Sequence, residues 1–65
     1  MRRRLQELKC PARPGYVVIL QKITETGEYR VAYREKNTGR TDEKSAYYTT
    51  ELSDAIGTAQ AMARQ

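Results

Sequence analysis

Tyr16-Val17-Val18-Ile19-Leu20-Gln21-Lys22-Ile23 is followed by the turn residues Thr24-Glu25-Thr26-Gly27 and then by Glu28-Tyr29-Arg30-Val31-Ala32-Tyr33-Arg34-Glu35. The first run is rich in β-branched and aromatic residues, which suit a pleated, partly buried surface. Its five-residue apolar core is far too short for a membrane span, which needs about 20 residues. Gly27 accepts a positive φ without steric cost, so the intervening segment reads as a turn closed by a left-handed glycine. The second run alternates: Tyr29, Val31 and Tyr33 point one way and Arg30 and Arg34 the other, as the strand period of two requires.

Lys36-Asn37-Thr38-Gly39 repeats the chemistry of the first turn. Two such signals one strand-length apart predict a three-stranded antiparallel meander. Its third strand falls in Arg40 to Tyr48, or is confined to Ser45 to Thr49 after a loop, because Thr41 to Ser45 are polar and poor strand formers. Register decides which face of the first strand is buried. A three-residue loop at Glu25-Thr26-Gly27 pairs Ile23 with Tyr29 and Ile19 with Tyr33. Val17, Ile19, Ile23, Tyr29, Val31 and Tyr33 then share one face, and Tyr16, Val18, Leu20, Lys22, Arg30, Ala32 and Arg34 the other.

The last segment reads as an amphipathic helix. Leu52, Ala55, Ile56, Ala59, Met62 and Ala63 follow the i, i+3, i+4, i+7 rule. Thr50 is the expected N-cap, with Ser53 as the alternative. Glu51 and Asp54 at the start and Arg64 at the end suit the helix dipole. Gly57 in mid-helix, among Ala55, Ala59, Ala61 and Ala63, predicts that the helix axis comes close to a neighbour, the sheet first and a second copy of the helix as the alternative.

Sixty-five residues make one small domain with a marginal core. One cysteine and no histidine leave neither a disulfide nor a metal to reinforce it, which makes self-association one way to complete it. The net charge of +4 is unevenly placed. Met1 to Gly15 carries Arg2, Arg3, Arg4, Lys9 and Arg13 against Glu7, whereas seven basic and seven acidic residues cancel from Tyr16 onward. Residues 1–15 read as a flexible basic tail ending in Cys10-Pro11-Ala12-Arg13-Pro14-Gly15, and 16–65 as the single domain. No apolar segment follows the arginines, so the tail is not a secretory signal. Cys10 has no histidine to activate it and reads as a reduced thiol, which fits a cytoplasmic setting.

The catalytic inventory is empty: no histidine, no activated nucleophile, and Asp42 and Glu43 too close in sequence to share a strand face. We expect a non-enzymatic protein without a cofactor. The strongest functional feature is cationic. Lys22, Arg30 and Arg34 line one side of the meander, with Lys36 and Arg40 beside it, Tyr16 and Tyr48 as aromatic neighbours, and Arg2, Arg3 and Arg4 on the tail.

Gly27-Glu28-Tyr29-Arg30-Val31-Ala32-Tyr33-Arg34, then Thr38-Gly39-Arg40, then Tyr48-Thr49-Thr50 ahead of an Ala-rich helix, resembles the N-terminal arm-binding domain of phage-type tyrosine recombinases. The resemblance implies three antiparallel strands followed by one helix, with the sheet docking in a DNA major groove. It assigns DNA contact to Arg30, Arg34 and Arg40.

The expected fold is therefore α+β: a three-stranded antiparallel meander with a C-terminal helix packed on one face. Two functions are expected. The first is a small interaction or accessory module that meets a protein partner or itself, as a homodimer. The alternative is a nucleic-acid-binding module using the sheet face and the arginine arm. Neither involves a membrane.

Overall fold

A computed structural model of the chain describes residues 2–65. It is an α+β domain with four antiparallel strands, β1 (Arg2–Lys9), β2 (Tyr16–Ile23), β3 (Glu28–Glu35) and β4 (Tyr47–Thr49), followed by one helix, α1 (Leu52–Arg64). The sheet order is β1-β2-β3-β4, so the expected meander of three strands is extended by one. The segment expected to be a flexible tail is this additional strand. Lys9 pairs with Val17 and Arg2 with Ile23 along β1, with a bulge at Leu5.

The physical reason lies in β2. Val17, Val18, Ile19 and Leu20 are all buried, and a strand buried on both faces belongs in the interior of a sheet. An interior strand needs a hydrogen-bonded neighbour on each side, and Arg2–Lys9 supplies the second one. The Pro/Gly-rich connection is an ordered hairpin loop. The Arg13 amide donates to the Cys10 carbonyl at 3.0 Å, the Tyr16 amide donates to the Arg13 carbonyl at 3.1 Å, and Gly15 turns the chain with φ of 88°.

The β2–β3 loop has four residues, not three. The amides of Thr26 and Gly27 both donate to the Ile23 carbonyl, at 3.3 and 2.9 Å, and Ile23 pairs with Glu28. This one-residue difference moves the register and swaps the faces of β2. Lys22 pairs with Tyr29, Leu20 with Val31 and Val18 with Tyr33. Val18 and Leu20 therefore join Val31 and Tyr33 beneath α1, packed against Ala55, Ala59 and Ala63. Val17, Ile19 and Ile23 go to the reverse face, instead of sharing one with Tyr29, Val31 and Tyr33 as the three-residue loop implies.

The third meander strand is only Tyr47–Thr49, preceded by a 3-10 turn at Glu43–Ser45. The Asp42 carboxylate caps that turn, accepting from the Lys44 amide at 3.2 Å and the Ser45 hydroxyl at 3.1 Å. Helix α1 begins with Glu51 as its N-cap, without a side-chain cap bond. Thr50 thus lies outside the helix and Ser53 within it, and neither caps it. Alanines at i, i+4 and i+8 make the close approach to the sheet, while Gly57 is exposed, and a Cβ there would meet nothing beyond its own helix backbone within 4 Å. Gly57 does not mark the contact expected of it. At the far end, the Tyr33 hydroxyl donates to the Met62 carbonyl at 2.8 Å and the Cys10 thiol approaches the same oxygen at 3.7 Å.

Candidate nucleic-acid interface

The sheet face turned away from α1 is built by the alternation of all four strands. By register, β1 contributes Arg2, Arg4, Glu7 and Lys9, β2 contributes Val17, Ile19, Gln21 and Ile23, and β3 contributes Glu28, Arg30, Ala32 and Arg34. Tyr48 stands opposite Arg30 on β4. The apolar residues in the middle are sunk: Val17 and Ile19 are each 4% exposed and Ala32 is 2% exposed. The surface of this face is consequently polar, with cations rising around a small apolar floor.

Arg30 does not present itself to solvent. It is 2% exposed, hydrogen-bonds Gln21 Oε1 at 3.1 Å and forms an ion pair with Glu43 of the 3-10 turn. Its Nε has no acceptor among the described residues. The guanidinium is neutralised and buried, so the contact role expected for Arg30 is not available in this arrangement. Burial of an arginine on a sheet face without a partner would cost several kcal/mol, and Glu43 is what makes it tolerable.

Arg34 is the half-buried counterpart. It lines an open groove of about 250 Å³ with Arg4, Glu7, Val17, Lys36 and Gly39. Arg4 donates to Glu7 at 3.1 Å, whereas Arg34 and Lys36 have no ion pair among the described residues. Lys36 is set in place by its backbone, whose amide donates to the Gly15 carbonyl at 2.8 Å. The β3–β4 connection is closed by the Gly39 amide donating to Glu35 and the Glu35 amide donating to Arg40, at 2.8 and 2.9 Å.

The remaining expected site residues scatter. Lys22 lies on the helix side of the sheet, with Nζ 5.9 Å from the Tyr29 ring centroid, and is separated from Arg30 and Arg34 by the register. Arg3 pairs with Lys22 and shares that side. Arg2 and Arg4 belong to the cationic face as strand residues, not as a free arm. Arg40 is exposed in the β3–β4 connection. Tyr16 packs on the helix side, where the Arg13 guanidinium sits 4.7 Å from its ring and 4.2 Å from that of Tyr33. Tyr48, 44% exposed, is the aromatic of the reverse face.

Lys9 joins this face as a residue not expected there. Its place depends on β1 pairing with β2, and the signal for that pairing was the unbroken apolar run of β2. Among the described residues no group of three metal-ligating side chains occurs, and no helix is long and apolar enough to cross a membrane. Comparison with protein-family models, curated proteins and solved structures returns no match.

Proposed function

We propose that this chain is a non-enzymatic nucleic-acid-binding module that lays the sheet face opposite α1 against a duplex. The observation that carries the reading is the pairing of β1 with β2. It moves Arg2, Arg4 and Lys9 from a presumed tail into register with Arg34 and Lys36 on one surface. A neutral domain with a basic appendage thereby becomes a domain with one cationic side, the electrostatic footprint of phosphate recognition. A sheet face of this kind can enter a major groove, which agrees with the resemblance to the recombinase arm-binding domain. The agreement covers Arg34 and the exposed Arg40 and leaves out Arg30.

The test is duplex binding by the full chain, followed by anisotropy of a labelled oligonucleotide over a salt series. With about four phosphates neutralised, log K should fall against log salt with a slope of about −4. Absence of binding at low salt would remove the reading.

A second reading, self-association, draws on one observation. Strand β1 is an eight-residue open edge, and Leu5 at its bulge is 39% exposed. Open edges invite pairing with another chain. Light scattering across micromolar concentrations decides it, since a constant monomer mass excludes edge-to-edge dimers.

A further inference from the structure

We propose that the groove between Arg4, Arg34 and Lys36 is a discrete seat for one phosphate group of a nucleic-acid backbone. This rests on the reading of the face as a nucleic-acid interface, and it adds a single place on that face where a phosphate is held rather than merely attracted.

Four features set this groove apart from the rest of the surface. Three cations line it against one carboxylate, Glu7, so two positive charges are left over when Arg4 is paired with Glu7. Its floor is Val17, which is 4% exposed. An apolar floor removes water from one side of a bound anion, and charge attraction strengthens as the local dielectric falls. The cations also stand on fixed backbone: Arg4 and Arg34 on strands, Lys36 on a turn tied to Gly15. Finally, the groove has room for a phosphate and several waters, at about 30 Å³ per water.

Gly39 shapes the seat. Its φ is +69°, and a Cβ there would stand 3.3 Å from Arg34 Nη2 and 3.8 Å from Nε. A Cβ would press the guanidinium by a few tenths of an ångström, and the positive φ itself favours glycine at this position. The Arg34 fork stays over the groove and can meet two phosphate oxygens in a bidentate contact, while Lys36 supplies a point charge from the other wall.

The experiment combines two probes on the full chain. Amide resonances are followed while inorganic phosphate is added, and duplex affinity is measured for wild type, R34Q, K36Q, G39A and the helix control R64Q. Saturable shifts at Val17, Lys36 and Gly39 are expected with phosphate. R34Q and K36Q should each weaken duplex binding about five- to tenfold and flatten the salt slope by about one. G39A, which keeps every charge, should weaken it about threefold, and R64Q less than twofold. If the duplex binds but R34Q and K36Q behave like R64Q, the seat is wrong while the wider interface stands. If no duplex binds, the interface reading fails, and the phosphate titration alone then decides: saturable shifts at those amides retain a small-anion seat, and their absence overturns it.

Discussion

Arg30 on β3 and Glu43 in the 3-10 turn form an ion pair in which one side chain is 3% exposed and the other 61%. The buried partner bears the risk. Its guanidinium has Gln21 and Glu43 as acceptors and an Nε with none, so E43A strands a charge rather than trimming a surface contact. We expect E43A to lower stability by about 2 kcal/mol in urea denaturation, because an unpaired buried charge costs far more than a rim ion pair gains. R30M in the E43A background should recover most of that loss, since the stranded charge leaves with it. A double variant no more stable than E43A would show that the cost arises elsewhere, in the cap of the turn.

Helix α1 separates two kinds of small residue. Ala55 and Ala59 are 0% exposed against the sheet, whereas Gly57 faces solvent, and a Cβ there would meet nothing beyond its own helix backbone within 4 Å. G57A should therefore stabilise the domain by about 0.5–1 kcal/mol through backbone entropy and helix propensity. A59L forces three additional heavy atoms into a closed contact and should destabilise it by about 1–3 kcal/mol. Thermal melts of the two variants should move in opposite directions. A loss of stability in G57A would mean that the glycine meets a neighbour after all.

These two cases also show where the sequence was legible. The helix was, because Ala55, Ile56, Ala59, Met62 and Ala63 repeat with the helical period and no strand pattern competes. The left-handed turns were, because Gly27 and Gly39 adopt φ of 76° and 69°, a region closed to most other residues. The register was not, since Thr24-Glu25-Thr26-Gly27 accommodates loops of three or four residues and the choice swaps every side chain of β2. Strand β1 was hidden for a different reason. Arg2–Lys9 has little intrinsic preference for a strand, and its conformation comes from the interior strand beside it, a tertiary effect that propensity cannot supply. The burial of Arg30 was hidden too, because its partner Glu43 is brought across by the shape of the β3–β4 connection rather than by sequence proximity.

The Tyr47 hydroxyl donates to Asp54 Oδ2 at 2.7 Å, joining β4 to the first turn of α1. That hydrogen bond, with the adjacent carboxylate charge, raises the phenol above its ordinary pKa of 10.0. The neutral phenol is the form the contact favours, so its contribution is complete below the unfolded pKa and is lost as pH rises through the higher folded value. Absorbance titration of the phenolates should show one tyrosine ionising above the ordinary phenol range, and Y47F should delete that late step. An unchanged titration in Y47F would assign the late ionisation to another ring.

Whether residues 2–9 act as an arm or as a strand can be decided by removing them. A flexible arm contributes charge alone, so its deletion would weaken binding and leave the fold untouched. A strand contributes more. Leu8 packs against the cluster beneath α1, and β1 covers one edge of β2, whose backbone groups otherwise lose their partners. Deleting residues 1–9 should therefore lower the unfolding midpoint by at least 10 °C or abolish cooperative unfolding, as the loss of about 2–3 kcal/mol implies for a domain of this size. The charge can be tested without disturbing the strand, through R2Q together with R4Q, two exposed positions that leave the backbone ladder intact. That variant should keep a near-native melting curve while losing roughly tenfold in duplex affinity. A truncated chain that melts like the full one would return these residues to the status of an arm, and with them the charge that makes one side of the sheet cationic.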